Sequence, residues 1–316
     1  MAWKIRKQEH MSGQKRFQKV AVLMGGPSSE REVSLRSGAA VARALRERGY
    51  EVTEVVVGED ASFDLPAGVE AAFVAMHGKF GEDGTVQRLL RERGVPHTGS
   101  SPEACARSFD KSRSKPVIAA AGISTPAFEL RQAGDPRRLP LPVVVKPVRQ
   151  GSSVGISRVF REEEWSEAVA AALAYDDTVL VEEFIPGREL TVGVVGGVAL
   201  PVIEIAADFF DYRAKYTPGV AAHRIPAPIP EETARACQAA ALATFRALGC
   251  AGMGRVDIRL REDGRFFVLE LNNIPGMTEV SLLPDAARAH GWEFPELCER
   301  ILNMIEWPGN QGGMNT

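Results

Sequence analysis

The chain has 316 residues, 45% hydrophobic and 25% charged, which excludes a disordered, collagen-like or fibrous protein and gives material for about two domains. Lys and Arg number 38 against 41 Asp and Glu, a formal net charge of −3 with no block of like charge, so nucleic acid is not an expected partner. The uncharged stretch Thr191 to Ile203 is broken by Pro201 and falls short of the ~20 residues that cross a bilayer. No apolar segment follows the basic start at Lys4, Arg6 and Lys7, so a cytoplasmic protein without membrane association is expected. Cys105, Cys237, Cys250 and Cys298 form no CxxC pair and read as buried free thiols, and the five His form no HExxH zinc motif.

The polar start to about Phe17 is expected to fray. Lys19 to Met24 reads as a buried strand, followed by the loop Gly25 to Ser29. A helix begins near Glu30, with Val33, Ala40, Val41, Ala44 and Leu45 at helical spacing, and Gly49 ends it. Tyr50 to Val57 and Ala71 to Met76 are further strands, so the chain opens as a doubly wound α/β domain. An Ala-rich helix, Lys115 to Ala121, then leads to the strand Pro142 to Lys146. A helix at Glu162 to Ala174 and a strand at Thr178 to Phe184 follow. Asp208 to Pro230 has four prolines and little periodicity, as a functional lid would, and helix resumes at Glu231 to Leu248.

Arg255 to Asn273 is the most informative segment. Two alternating runs, Arg255 to Leu260 and Phe266 to Asn272, flank Asp263-Gly264, a strong signal for a two-residue hairpin turn. With those two residues as the turn, Glu262 pairs with Arg265, Asp257 falls opposite Glu270, and Arg255 falls opposite Asn272. Alternation puts Val256, Ile258, Leu260, Phe267, Leu269 and Leu271 on one face and Arg255, Asp257, Glu270 and Asn272 on the other. Opposed carboxylates have Cβ atoms about 4.5–5.5 Å apart and repel, so a cation is required between them. Arg255 and Arg259 could neutralise them. The alternative is a divalent ion: two carboxylates and an amide oxygen suit Mg²⁺ completed by phosphates and water.

No GxxxxGK[ST] and no GxGxxG accompany the first strand, so neither a P-loop nor a dinucleotide site is expected. Lys146 instead ends a strand and leads into Arg149-Gln-Gly-Ser-Ser-Val-Gly155, whose glycines let backbone N–H groups approach an anion. Gly151 to Gly155 also matches the G-x-S-x-G elbow of serine hydrolases. An elbow needs a helix next, whereas Ile156 to Phe160 reads as a strand, so the loop is expected to be a flap.

Several long motifs occur in order: Gly25-Gly-Pro-Ser-Ser-Glu-Arg-Glu-Val-Ser34, His77-Gly-Lys-Phe-Gly-Glu-Asp-Gly84, Phe109-Asp-Lys111, Val145-Lys-Pro147 with Gly151-Ser-Ser-Val-Gly155, Lys215-Tyr216, and Gly254-Arg-Val-Asp257 with Glu270 to Thr278. From about Val20 to Ile305 the chain resembles the D-alanine–D-alanine ligases, an ATP-grasp family. The resemblance implies an α/β (α+β) fold: an N-terminal doubly wound domain (18–107) for the first substrate, a central flap domain (108–189), and a C-terminal mixed-sheet domain (190–307) carrying an ω-loop, with tails at 1–17 and 308–316.

It implies ATP and Mg²⁺ or Mn²⁺, two ions, held by Asp257, Glu270 and Asn272. Lys111 and Lys146 would contact phosphates, with Ser153 in the flap above them, and Lys215 would also bind the cofactor. Glu182, Glu183, Phe184 and Ile185 resemble the adenine hinge, with Glu189 at the ribose. Glu30 would hold the first ammonium and, with Ser152 and Tyr216, form a closure triad. Val33 and His77 line the first substrate, and Ser281 and Leu282 receive the second carboxylate. Arg255 and the Gly276 N–H would stabilise an oxyanion. The implied activity joins two D-alanines through an acyl phosphate for peptidoglycan, in a homodimer. The chain differs from common family patterns at Asn273, Ile274, Glu279, Val280 and Phe184.

Overall fold

A computed structural model describes residues 15–206 and 222–306. Lys215, Tyr216, most of the expected lid and most of both expected tails lie outside the described residues. The structure opens with β1 (Lys19–Gly25), α1 (Arg31–Glu47), β2 (Glu51–Val57) and β3 (Ala71–Val74), a parallel sheet in the order β2-β1-β3. The helical spacing of Val33, Val41, Ala44 and Leu45 is what buries α1 on this sheet. Gly38 sets how closely α1 lies on β1: a Cβ there would fall 2.4 Å from the Cβ of Met24. Three helices follow, α2 (Thr85–Glu92), α3 (Pro102–Phe109) and α4 (Lys111–Ala120). Ser101 caps α3 by accepting from the Ala104 N–H, and Asp110 caps α4 by accepting from the Ser112 N–H.

The second sheet holds β4 (Phe128–Arg131), β5 (Val143–Pro147), β6 (Ser157–Val159) and β7 (Val179–Glu183), ordered β4-β7-β5-β6 with antiparallel neighbours. The helix α5 (Trp165–Leu173) covers it, closing a small core of Val143, Val145, Val159, Ala168, Ala172 and Val181. The loop Gly151 to Gly155 joins the antiparallel strands β5 and β6. It is therefore a flap, and the elbow reading loses its helix.

The third sheet runs β11-β10-β8-β12-β13, with β9 beside β8. Its strands are β8 (Arg188–Val195), β9 (Val198–Ala199), β10 (Ile203–Ala206), β11 (Ala222–Arg224), β12 (Met253–Leu260) and β13 (Phe266–Asn272); α6 (Glu231–Ala247) packs on one face. The last helices, α7 (Leu282–Ala289) and α8 (Phe294–Asn303), return to the first sheet and share its core through Leu283, Ala286, Cys298 and Ile301. No helix among the described residues is long and apolar enough to cross a membrane.

The hairpin β12–β13 places Asp257 opposite Glu270 and Arg255 opposite Asn272. Its turn differs from expectation. The Arg261 N–H donates to the Arg265 carbonyl at 2.8 Å, leaving a three-residue loop with Gly264 at φ +82. Pairs near the turn are therefore displaced by one residue, and a bulge between Asp257 and Ile258 restores the register at the carboxylates. Because of that bulge Val268, not Phe267 or Leu269, enters the core. Gly38→Ala forces Met24 and α1 apart, and overpacking of this kind typically costs roughly 1–3 kcal/mol. Chemical denaturation should show a loss of that size.

Candidate active site

Asp257 is 7% exposed, on the polar face of β12, and four donors converge on its carboxylate. Arg255, two residues earlier on the same strand face, grips it with two bonds of 2.9 Å, Nε to Oδ1 and Nη2 to Oδ2. Thr191 Oγ1 donates to Oδ1 at 2.6 Å, and Asn272 Nδ2 to Oδ2 at 3.0 Å. Opposite, Glu270 meets the Lys111 ammonium at 3.0 Å, brought from the start of α4. The repulsion expected from the register is thus balanced by one cation on each carboxylate. Arg259, the second candidate for that task, instead bonds Glu189 at 3.3 Å and the Gly187 carbonyl at 2.6 Å.

A buried ionic cluster lies alongside. Glu182 is 1% exposed between Lys115, whose Nζ is 2.5 Å from Oε1, and Lys146 at Oε2. Burial pushes the Glu182 pKa up, but the two ammonium groups outweigh it and hold the carboxyl below its ordinary range. Burial also works against the charge on Lys146, yet Glu182, Glu270 and Glu189 together raise its pKa. Lys115 goes the other way: burial lowers it, and Lys146 adds to the effect, despite Glu182. Lys115 did not stand out in the sequence. The available signal is its place one helical turn after Lys111, which puts both ammoniums on one face of α4.

The flap reaches this cluster from above. Lys111 Nζ donates to the Gln150 carbonyl at 2.8 Å, and its N–H to the Val148 carbonyl at 2.9 Å. Ser152 and Ser153 hold left-handed φ angles of +50 and +60. Ser152 Oγ donates to Glu30 Oε1, joining the flap to the loop before α1. Two members of the expected closure triad therefore meet, and Tyr216 lies outside the described residues. Along the hinge, the Glu183 and Phe184 N–H groups donate to the Ala127 and Pro142 carbonyls, at 2.8 and 3.1 Å. Both are committed to the protein, so neither can read a base edge without breaking a strand contact. Phe184 packs edge-on against Phe160 with ring centroids 5.2 Å apart, under the Arg158 guanidinium.

The residues expected to receive the second carboxylate lie at the start of α7. Ser281 is its N-cap, with Oγ 2.7 Å from Thr278 Oγ1, and a Cβ on Gly276 would fall 2.8 Å from Ser281 Oγ. Gly276, Ser281 and the buried Leu282 are therefore neighbours.

Comparison with known proteins gives the family. The family profile described as D-ala D-ala ligase C-terminus matches residues 124–303, and the one described as D-ala D-ala ligase N-terminus matches residues 19–68. The D-alanine--D-alanine ligase of Syntrophotalea carbinolica is 50% identical over 290 residues, spanning 90% of this chain and 95% of that protein. That of Methylacidiphilum infernorum is 47% identical over 294 residues, 91% and 96% of the two chains. Among solved structures, the VanG D-Ala:D-Ser ligase of Enterococcus faecalis superposes with a TM-score of 0.81 at 29% identity, covering 92% of this chain and 99% of that one.

The chain belongs to the D-alanine–D-alanine ligase family. It is accordingly an ATP-grasp enzyme of the class that forms C–N bonds.

In this ligase Val33, expected with His77 at the substrate, is 6% exposed on α1. His77 is 4% exposed, and both ring nitrogens already face protein groups, Ser37 Oγ at 2.9 Å and the Ile274 carbonyl at 3.1 Å. It has no nitrogen to offer a substrate while these bonds stand. Glu279, close in sequence to Ser281, is exposed and pairs with Arg43 at 3.2 Å.

Glu82, in the same Gly-rich motif as His77, is a site carboxyl that the sequence did not single out. Burial first, and then the Glu30 carboxylate, push it up to about 8. Between its ordinary value of 4.5 and about 8, the folded protein holds a proton that the unfolded chain has released. That contribution to stability is complete below pH 4.5 and is lost as pH rises through about 8. Glu82→Gln removes the titration. The melting temperature of the variant relative to the wild type should therefore climb between about pH 5 and 8 and then level off. An offset independent of pH would contradict this account.

Proposed function

We propose that this chain is a D-alanine–D-alanine ligase that uses ATP to phosphorylate one D-alanine carboxylate, then joins the acyl phosphate to the amine of a second D-alanine, releasing phosphate. The observation that carries the reading is the Asp257–Glu270 pair with Lys111 and Lys146 converging beside it. Phosphates need cationic side chains on rigid elements, and Lys146 on β5 and Lys111 at the start of α4 meet that need.

The donor set fits Mg²⁺ or Mn²⁺. Asp257, Glu270 and Asn272 offer hard oxygens, and both carboxylates already face cations, Arg255 and Lys111. Among the described residues no three His, Cys, Asp or Glu side chains group as a metal site by themselves. A set of two carboxylates and an amide suits an ion whose other ligands are phosphate and water. When bound, the ion supplies charge neutralisation of the transferring phosphoryl group.

In this reading Glu30 holds the first ammonium, and Ser152 closes the flap over it. Lys215 and Tyr216, outside the described residues, complete the cofactor contacts and the closure. Glu182, Glu183, Phe184 and Ile185 form the hinge for the adenine, and Glu189 takes the ribose. Ser281 and Leu282, at the N-terminus of α7, receive the second carboxylate. Arg255 and the Gly276 N–H stabilise the oxyanion, and the closed flap keeps water from the acyl phosphate. A cytoplasmic homodimer supplying peptidoglycan precursors belongs to the same reading.

The direct test is a product assay with ATP, Mg²⁺ and D-alanine, D-serine or D-lactate. ADP release should require D-alanine and match D-alanyl-D-alanine formed; ADP release without it, or ester from D-lactate as the main product, would overturn the reading. Arg255→Lys separates oxyanion stabilisation from charge balance, because Lys keeps the charge on Asp257 but lacks the planar fork. Nucleotide binding by calorimetry should persist while kcat falls by about 10² or more. Turnover within a few-fold of wild type would leave Arg255 as a counter-charge only.

A further inference from the structure

The loop bearing Gly276 is tied down at both ends by a single hydrogen-bonded relay that passes through two residues of the N-terminal sheet unit. The Met277 N–H donates to Ser37 Oγ at 3.2 Å. Ser37 Oγ lies 2.9 Å from His77 Nε2, and His77 Nδ1 lies 3.1 Å from the Ile274 carbonyl. A carbonyl only accepts, so Nδ1 carries the proton; Nε2 then accepts the Ser37 hydroxyl proton, leaving the Ser37 oxygen lone pairs for Met277. Every donor and acceptor in the relay is used once, in one direction. Burial lowers the His77 pKa, which keeps the ring in the neutral form that this direction needs.

The relay starts and ends on the same short segment, Ile274 to Met277. Between its two anchors stand Pro275, whose φ is locked by its ring, and Gly276, the residue with the widest backbone freedom. Untethered, a glycine there would swing its N–H through a broad range. Ties on both sides narrow that range. Ser37, His77 and Asn273 are each fully or nearly buried, and Asn273 adds a third tie by donating to the Glu82 carbonyl at 2.9 Å.

We propose that Ser37 and His77 are positioning residues that aim the Gly276 N–H at the developing oxyanion, and that His77 does not contact substrate. The proposal rests on the assignment of Gly276 as an oxyanion donor. It predicts a fault confined to the second half of the reaction. Ser37→Ala removes the acceptor for Met277 and the donor to His77, so Gly276 loses its aim while the phosphate and metal groups stay in place. Misplacement of a reacting group by about 1 Å can cost 10²-fold in rate.

The experiment compares Ser37→Ala, His77→Gln and His77→Asn with wild type and Arg255→Lys. Steady-state kinetics, the ratio of phosphate to dipeptide released, and D-alanine-dependent isotope exchange within ATP are measured. Gln presents an amide oxygen near the Nε2 position and can still accept from Ser37, whereas Asn keeps only the Nδ1-like donor to Ile274. Ser37→Ala and His77→Asn should lower dipeptide kcat by about 10- to 100-fold. Their KM values for D-alanine and ATP should stay within about twofold, isotope exchange should be preserved, and more phosphate should appear per dipeptide. His77→Gln should recover part of the rate. A raised D-alanine KM with kcat near wild type would make His77 a substrate contact and overturn the proposal. So would wild-type kcat in Ser37→Ala. If Arg255→Lys alone then loses about 10² in rate, the oxyanion reading stands without the relay; if Arg255→Lys is also normal, the oxyanion reading has failed first.

Discussion

Two carboxylates facing each other across an antiparallel hairpin repel, and holding a cation on each organises the site around Asp257 and Glu270. Each carboxylate recruits its counter-charge from a different place. Arg255 comes from the same strand, so it brings no other part of the chain with it. Lys111 comes from α4, and the backbone N–H of the same residue bonds the strand exit at Val148. Glu182 on β7 repeats the device with Lys146 of the neighbouring β5 and Lys115 of α4. The second and third sheets are thereby joined through α4 by charge. A metal–nucleotide complex entering here would substitute for cations that the carboxylates already hold.

The hairpin shows how far the sequence could be read. The pairing of Asp257 with Glu270 was read from a two-residue turn at Asp263-Gly264, and it holds because two differences from that reading cancel. Asp263-Gly264 signals a two-residue turn, but the third residue, Glu262, joins the loop, and a bulge after Asp257 absorbs the difference. A bulge has no signature in hydrophobic alternation, which is why Phe267 and Leu269 were assigned to the core in place of Val268. The flap was legible because strand character after Gly155 excludes an elbow.

Residues that act through long-range partners were the hardest to read. His77 stands in a recognisable motif, yet its partners Ser37 and Ile274 lie 40 and 197 positions away. Nothing local distinguishes a histidine that touches substrate from one that braces a loop. Lys115 and Glu82 have the same difficulty, because their roles depend on Glu182 and Glu30 arriving from other elements. The link between Ser152 and Glu30 was legible only through the family resemblance, since a loop serine and a helix-start carboxylate carry no mutual signal.

The central claim is that the negative charge of Asp257 and Glu270 serves to bind a divalent cation with nucleotide, rather than only to fix Arg255 and Lys111. Binding of Mn²⁺ with a non-hydrolysable ATP analogue, followed by water-proton relaxation, tests this without turnover. Glu270→Gln, shown by near-UV circular dichroism to be folded, should bind Mn²⁺ with the nucleotide at least about tenfold more weakly than wild type. Equal affinity in the two proteins would contradict the account.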